Sequence, residues 1–151
     1  MKTSPRTKRH QRGNAMLEFG VAAAVIFPIF AGSFQYGYSY YVYNSLQTSV
    51  RAAGRYAATR TYDSASATPS AAFTTAVRNM AVYGNPLGGT RSVVPNLTTD
   101  KVAVSMSFSM GTPSQVTVRV NNFRINGVFG IVTLNGKPRV TFPYLGRWDP
   151  I

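Results

Sequence analysis

The hydrophobic pattern of the chain changes at residue 19, where a polar, basic N-terminal segment gives way to a long apolar run. From Phe19 to Tyr43 the one strongly polar residue is Gln35, and the others are apolar, small or aromatic. As a helix these 25 residues would extend about 37 Å, which exceeds the roughly 30 Å of a bilayer's hydrocarbon core. The far end of the predicted span carries aromatics of the interfacial kind: Tyr36, Tyr38, Tyr40, Tyr41 and Tyr43.

The charges before the run predict its orientation. Basic residues precede Gly13, so the positive-inside bias places the N-terminus in the cytoplasm and the C-terminal region outside it. Three other interpretations of the segment stay open at this point. It could be a cleaved secretory signal with its cleavage site at 31–33, a plain signal anchor whose Glu18 reaches the cytoplasmic headgroups, or a buried helix of a soluble protein.

Beyond the span, apolar residues at spacings of three and four predict that the helix continues to about residue 60. This stripe either covers the protein's own sheet or forms a seam between subunits; it consists of Tyr43, Leu46, Val50, Ala53 and Ala57. After a Ser/Thr/Ala-rich loop over 59–68, Pro69-Ser70 can start a second helix, and Gly84 can end it. The apolar face of this second helix is Phe73, Ala76, Val77, Met80 and Ala81.

The period then changes to two, which is typical of half-buried strands. Val102 to Met110 alternates, Gly111-Thr112-Pro113 turns the chain, and Val116 to Val120 alternates again. A second hairpin is predicted from Ile131–Leu134 and Lys137–Phe142, joined by Asn135-Gly136. Pro138 places its last strand at an edge, whereas 123–130 is either a loop or a short helix. The predicted fold is α+β: a long N-terminal helix packed on a small antiparallel β-sheet, with one additional helix.

The composition excludes several classes of function and of structural site. The net charge is +12, but five of the sixteen basic residues precede Gly13 and the remaining eleven are scattered, so we expect no nucleic-acid partner. Those five are Lys2, Arg6, Lys8, Arg9 and Arg12. The chain has no cysteine, which removes disulfides and thiolate metal sites.

Catalytic chemistry is not indicated. The only histidine, His10, lies in the basic segment, and Asp63, Asp100 and Asp149 are single and far apart, so we expect no catalytic residue, metal site or cofactor. A Ser–Lys dyad through Lys101 or Lys137 stays open, although no motif selects either lysine. The C-terminal segment 142–151, with Trp148, either forms an interface or packs back on its own domain.

Glu18 is the most informative single residue. A charge inside a membrane span costs about 2.5–3.5 kcal/mol on insertion scales, so it requires a partner or a function. A cut between Gly13 and Asn14 would create an amino terminus one helical turn, about 6 Å along the axis, from Glu18. The spacing therefore predicts that Glu18 pairs with the new Asn14 amine, in its own chain or in a neighbouring subunit.

A basic leader ending in Gly, four residues, and then Glu18-Phe19 before an apolar helix resembles the type IV prepilin class. The Glu18-Phe19 pair and the helix end Val50–Ala58 resemble TadE-like proteins of tight-adherence (Flp-type) pili, and Arg55-Tyr56 resembles an arginine–tyrosine pair at that family's helix end. The resemblance implies cleavage after Gly13 by a prepilin peptidase, an inner-membrane anchor and a minor-pilin or pseudopilin role.

The implied partners are other pilins, the peptidase, the membrane platform of the pilus machine and membrane lipid. The implied domain plan is a leader at 1–13, a helix at 14–60 with its transmembrane part at 19–43, and an exported head at 61–151. The competing interpretation is a signal-anchored or secreted binding domain with no role in a pilus.

Overall fold

The computed structural model describes residues 9–150, and their side chains from residue 13. Its first element, helix α1, comprises Arg9–Thr59 and has Pro28 inside it. With 51 residues α1 is about 75 Å long. It begins five residues before the predicted start at 14, so the backbone is helical through Gly13. Most of the predicted basic leader, with the side chains of His10 and Arg12, lies outside the described residues.

The second helix, α2, comprises Ala71–Tyr83 and has the predicted caps. The Ser70 hydroxyl accepts a hydrogen bond from the Phe73 amide at 3.0 Å, which satisfies one of the free N–H groups at the helix start. At the other end Gly84 has a left-handed backbone (φ 70°), and its N–H donates to the Met80 carbonyl at 3.0 Å. The local sequence therefore determines both ends of α2.

Five strands follow a short 3-10 turn at Thr99–Lys101. They are β1 (Val102–Ser109), β2 (Thr112–Val120), β3 (Phe123–Asn126), β4 (Ile131–Leu134) and β5 (Arg139–Pro143). One antiparallel sheet has the order β1-β2-β5, and a second antiparallel sheet pairs β3 with β4. The α+β prediction is confirmed, with two small sheets. In the larger sheet β5 is an edge strand, as Pro138 indicated.

The turn between β1 and β2 lies one residue earlier than predicted. Met110 and Gly111 form it, both with positive φ (50° and 79°), instead of Gly111-Thr112-Pro113. Met110 consequently lies outside the apolar face that the alternation assigned to it, and its side chain is fully exposed. A β-bulge between Ser107 and Phe108 shifts the register just before this turn.

The predicted second hairpin is wrong. Ile131–Leu134 pairs with Phe123–Asn126, which is therefore a strand, and β5 pairs with β2. Asn135-Gly136 connects the two sheets instead of closing a hairpin. The physical reason is that the second edge of β2 is available to Arg139–Pro143, and pairing there places Val140 opposite the buried Val118. Burial against the rest of the core outweighs the local turn preference.

The core lies between the second half of α1, helix α2 and the sheets. The predicted α1 stripe is confirmed for Leu46, Val50, Ala53 and Ala57, which are all fully buried, whereas Tyr43 is only partly buried. The strands contribute Val102, Val116, Val118 and Val120 to the same cluster.

One polar contact joins the two helices inside this core. The buried Ser49 hydroxyl donates a hydrogen bond to the Ala81 carbonyl. Ala81 lies in the last turn of α2, where helix carbonyls have no partner within the helix, so Ser49 satisfies one of them.

Gly54 is the point of closest approach between α1 and the sheet. A Cβ at this position would lie 2.8 Å from the Phe142 ring and 2.9 Å from the Val140 side chain. Only a residue without a side chain permits this approach, and β5 fills the space. The small-residue part of the α1 stripe therefore covers the protein's own sheet.

Candidate membrane and assembly site

The first half of α1 presents an apolar surface that the described head leaves largely uncovered. Over Gly13–Thr59 this helix is long and apolar enough to cross a membrane. Its large side chains between residues 21 and 34 are each more than half exposed: Val21, Val25, Ile26, Phe27, Ile29, Phe30 and Phe34. Exposed apolar surface of this extent is typical of a segment that lies in lipid or against other subunits. An N-terminal apolar helix of this kind fits a membrane-anchored protein.

The residues of the predicted processing and assembly site lie on one exposed stretch of this helix. Asn14 and Glu18 are four positions apart and border the same shallow surface depression as Leu17, Val21 and Ala22. Phe19 is 75% exposed and takes no part in the hydrophobic core. In the part of the chain with described side chains, the one salt bridge joins Arg147 to Asp149 at 3.4 Å, far from this stretch.

The peptide bond predicted for cleavage lies inside α1. The helix is continuous from Arg9 through Gly13 and Asn14, and a Cβ at Gly13 would have no neighbour within 4 Å. Gly13 is therefore not required for packing. Glycine weakens a helix by about 1 kcal/mol relative to alanine, so local opening is easier here than at neighbouring positions.

At the other end of α1, the predicted Arg55-Tyr56 pair separates into an exposed and a packed residue. Arg55 is exposed, whereas Tyr56 packs partly against the core. The Arg60 guanidinium donates to the Tyr56 hydroxyl at 2.6 Å, and its carbon lies 5.7 Å from the Tyr56 ring centre. Tyr56 thus holds Arg60 against the helix end. The sequence pair Arg55-Tyr56 does not reveal this structural role, because the partner of Tyr56 is four residues further along the chain.

Of the three comparisons with known proteins, the one with family models found a match, and it is confined to α1. Residues 13–55 match the family model described as TadE-like protein. The matched stretch is similar to that family, and we call it the TadE-like segment. The match begins at Gly13 and ends at Arg55, so α2 and both sheets lie outside it. Neither the comparison with curated proteins nor the one with solved structures found a match.

Two charged residues outside the TadE-like segment, Asp63 and Lys101, have structural partners. Asp63 accepts a hydrogen bond from the Ser70 hydroxyl at 2.7 Å, beside the start of α2, where a negative charge is favourable. Lys101 donates to the Asn96 carbonyl at 2.9 Å and lies 5.6 Å from the Phe123 ring centre. Among the described residues no three His, Cys, Asp or Glu side chains group as metal ligands.

Past the TadE-like segment, Tyr62 organises an aromatic cluster that sequence patterns did not reveal. Its ring is fully buried and lies 5.2 Å from Phe73, 6.0 Å from Phe108 and 6.2 Å from Tyr144, each in an edge-on arrangement. Its hydroxyl donates to the Ser66 carbonyl at 2.7 Å. Tyr62 lies in a stretch that reads as a Ser/Thr-rich loop, where neither helix nor strand periodicity marks a core residue.

The C-terminal segment packs back on its own domain over this cluster. The Tyr62 amide donates to the Arg147 carbonyl at 2.8 Å, and the Asp149 amide donates to the Tyr62 carbonyl at 2.9 Å. The Trp148 indole donates to the Ser64 carbonyl at 3.1 Å. Of the two interpretations offered for residues 142–151, packing on the protein's own domain is therefore the one that the structure shows.

Burial raises the pKa of the Tyr62 and Tyr144 hydroxyls above the ordinary value of 10.0. Below pH 10 both phenols are neutral in the folded and the unfolded chain, so their contribution to stability is fully present. Above pH 10 the unfolded chain ionises first, and the contribution is lost as the pH rises through the raised folded pKa.

We therefore expect the urea unfolding midpoint of the protein in detergent micelles to fall above pH 10. Tyr62→Phe removes one of the responsible phenols and should flatten this fall, even though it also removes the bond to Ser66 and lowers stability at pH 8. Tyr83→Phe is the matched control because it removes a phenol at the end of α2, outside the cluster. Equal alkaline slopes in all three proteins would contradict the assignment.

Proposed function

We propose that this protein is a membrane-anchored minor pilin or pseudopilin of a tight-adherence pilus, with a structural rather than an enzymatic role. The observation that carries the proposal is the TadE-like match over residues 13–55, which starts at the glycine expected to end a prepilin leader. That match supports a pilus-associated protein. The exposed apolar half of α1 supplies the surface that a bilayer, and later a bundle of neighbouring helices, would cover.

In this proposal Gly13 is the last residue of the leader and Asn14 supplies the new amino terminus. Since α1 is continuous across this bond, a prepilin peptidase must first unwind the helix locally, which the glycine favours. The freed amine would then lie one helical turn from Glu18, so the two charges could neutralise each other within the membrane. Other pilins and the inner-membrane assembly platform are the proposed partners.

The proposed orientation follows from the charges at the two ends of the span. The basic N-terminal residues stay in the cytoplasm, and the head formed by α2 and the five strands lies on the periplasmic side. The tyrosines near the head end of the span occupy the outer interface in this arrangement.

The decisive test is the N-terminal sequence of the membrane-fraction protein, expressed with and without its prepilin peptidase. We expect Asn14 at the terminus when the peptidase is present and the uncut terminus when it is absent. Gly13→Leu should block the cut, whereas Gly20→Leu, a matched glycine further along α1, should not. An uncut terminus under all conditions would contradict processing and support the plain signal anchor. A terminus near Phe34 would instead identify a secreted protein.

A further inference from the structure

The tip of the β3–β4 hairpin rests against α1 inside the apolar run. The Phe129 amide donates a hydrogen bond to the Gln35 side-chain oxygen at 2.7 Å. A Cβ on Gly127 would overlap the Gln35 side chain, and a Cβ on Gly32 would lie 3.9 Å from the Phe129 ring. The tip therefore occupies the helix surface between Gly32 and Gln35, and it uses the one strongly polar residue of the run as its partner.

The same tip is apolar and exposed on its outer side. The Val128 and Phe129 side chains are 73% and 60% exposed, and Ile131 and Val132 behind them are 61% and 44% exposed. No charged residue occurs from 125 to 136. Two exposed cations, Arg124 and Lys137, flank this uncharged stretch. An apolar projection bordered by cations is the composition of an interfacial membrane contact, since the cations suit anionic headgroups.

The position of the tip along α1 places it at the outer boundary of the bilayer. A hydrocarbon core of about 30 Å covers about 20 helical residues, so a span that begins at Phe19 ends near residue 38. Gln35 then lies about 5 Å inside that boundary. Uncompensated polar groups are costly at this depth, and the bond between Gln35 and the Phe129 amide satisfies one group of each partner. The Gly127 amide similarly donates to the Gly130 carbonyl at 2.9 Å, within the tip.

We propose that the β3–β4 tip, residues 127–132, inserts into the outer leaflet beside α1 and forms a second membrane contact of the head. The surface is continuous with the exposed apolar side of α1, so one lipid phase covers both. A helix alone leaves the molecule free to tilt relative to the bilayer normal, and a second contact restricts that tilt, because tilting would draw the apolar tip out of the leaflet. The proposal rests on the membrane anchorage inferred above, and the experiment distinguishes the two.

Because the natural chain has no cysteine, single cysteines can carry an environment-sensitive NBD fluorophore. The full chain is reconstituted in phosphatidylethanolamine–phosphatidylglycerol vesicles with the label at Val128→Cys, Met110→Cys or Phe30→Cys. Met110 is the matched control because it is an exposed apolar residue at a hairpin turn. It lies at the other end of the head, just beyond Phe108, which packs on Tyr62 and Trp148. Phe30 reports on the helix itself, and Trp148 fluorescence checks that each variant is folded.

We expect the label at position 128 to emit at blue-shifted wavelength and to be quenched by doxyl groups placed on the acyl chains near the headgroup. Its quenching by aqueous iodide should be at least about fivefold weaker than at position 110, since ions do not enter hydrocarbon. Iodide quenching as strong at 128 as at 110, with lipid quenching at position 30 alone, would overturn the hairpin contact while leaving the anchor intact.

Two other outcomes would also overturn the proposal. Protection of position 128 from both iodide and doxyl lipid would show that a second protein copy covers the tip. Absence of lipid quenching at position 30 would remove the membrane anchorage, and the hairpin contact with it.

Discussion

Glu18→Ala is expected to reduce the number of pili at least about tenfold while the protein still accumulates in the membrane. A neutralised charge pair that contributes about 1.4 kcal/mol per subunit already changes an assembly equilibrium tenfold. Removing the carboxylate also lowers the cost of inserting α1 by about 2.5–3.5 kcal/mol, so anchoring should not weaken. Loss of assembly combined with full membrane insertion is the combination that a pairing role predicts and a packing role does not.

The measurement is pilus counting by electron microscopy, alongside membrane-fraction immunoblots of the same cells. Asp149→Ala is the matched control because it removes an exposed carboxylate whose partner, Arg147, lies in the head. Glu18→Asp keeps the charge on a shorter side chain and should restore part of the piliation. Normal pilus numbers in Glu18→Ala would contradict the pairing, and disappearance of the protein from the membrane would indicate a structural role instead.

Gly54→Ala is expected to destabilise the head, although alanine is the better helix former. Helix propensity alone would favour the alanine by about 1 kcal/mol. The added methyl, however, would lie within 2.9 Å of both Phe142 and Val140, closer than side-chain carbons approach each other. Helix α1 must then move away from β5, and overpacking of this kind costs about 1–3 kcal/mol. Gly54→Val adds two more methyl groups at the same contact and should be worse.

Thermal unfolding of the full chain in detergent micelles, followed by Trp148 fluorescence, measures this effect. A loss of 1 kcal/mol corresponds to a melting temperature lower by about 4–8 °C for a domain of 60–100 residues. Gly37→Ala is the matched control, since it lies on the same helix and its Cβ would have no neighbour within 4 Å. A melting temperature for Gly54→Ala at or above that of Gly37→Ala would contradict the prediction. It would show that α1 and β5 accommodate the added methyl without loss of stability.

The residues to which we assign proposed roles fall into two groups, according to how far along the chain their partners lie. Gly13, Asn14 and Glu18 occur within one and a half helical turns, so their spacing in sequence already predicts their spacing in the helix. Gln35 was visible in the sequence only as a polar residue in an apolar run. Its partner, the Phe129 amide, is 94 positions away and lies in a stretch whose sequence pattern predicts a loop or a short helix. Gly54 likewise resembled one of several small residues until β5 was found against it.

The sequence by itself determined the membrane-length helix, both ends of α2, the alternating strands β1 and β2 and the spacing on which the proposed processing site depends. Each of these depends on periodicity or on groups a few residues apart, which local geometry translates directly into structure. The tertiary structure alone decided that β4 pairs with β3 and β5 with β2, that Tyr62 is buried, and that the hairpin tip meets α1 at Gln35. These outcomes depend on which surfaces are buried together when residues distant in the chain meet, and no local preference encodes that choice.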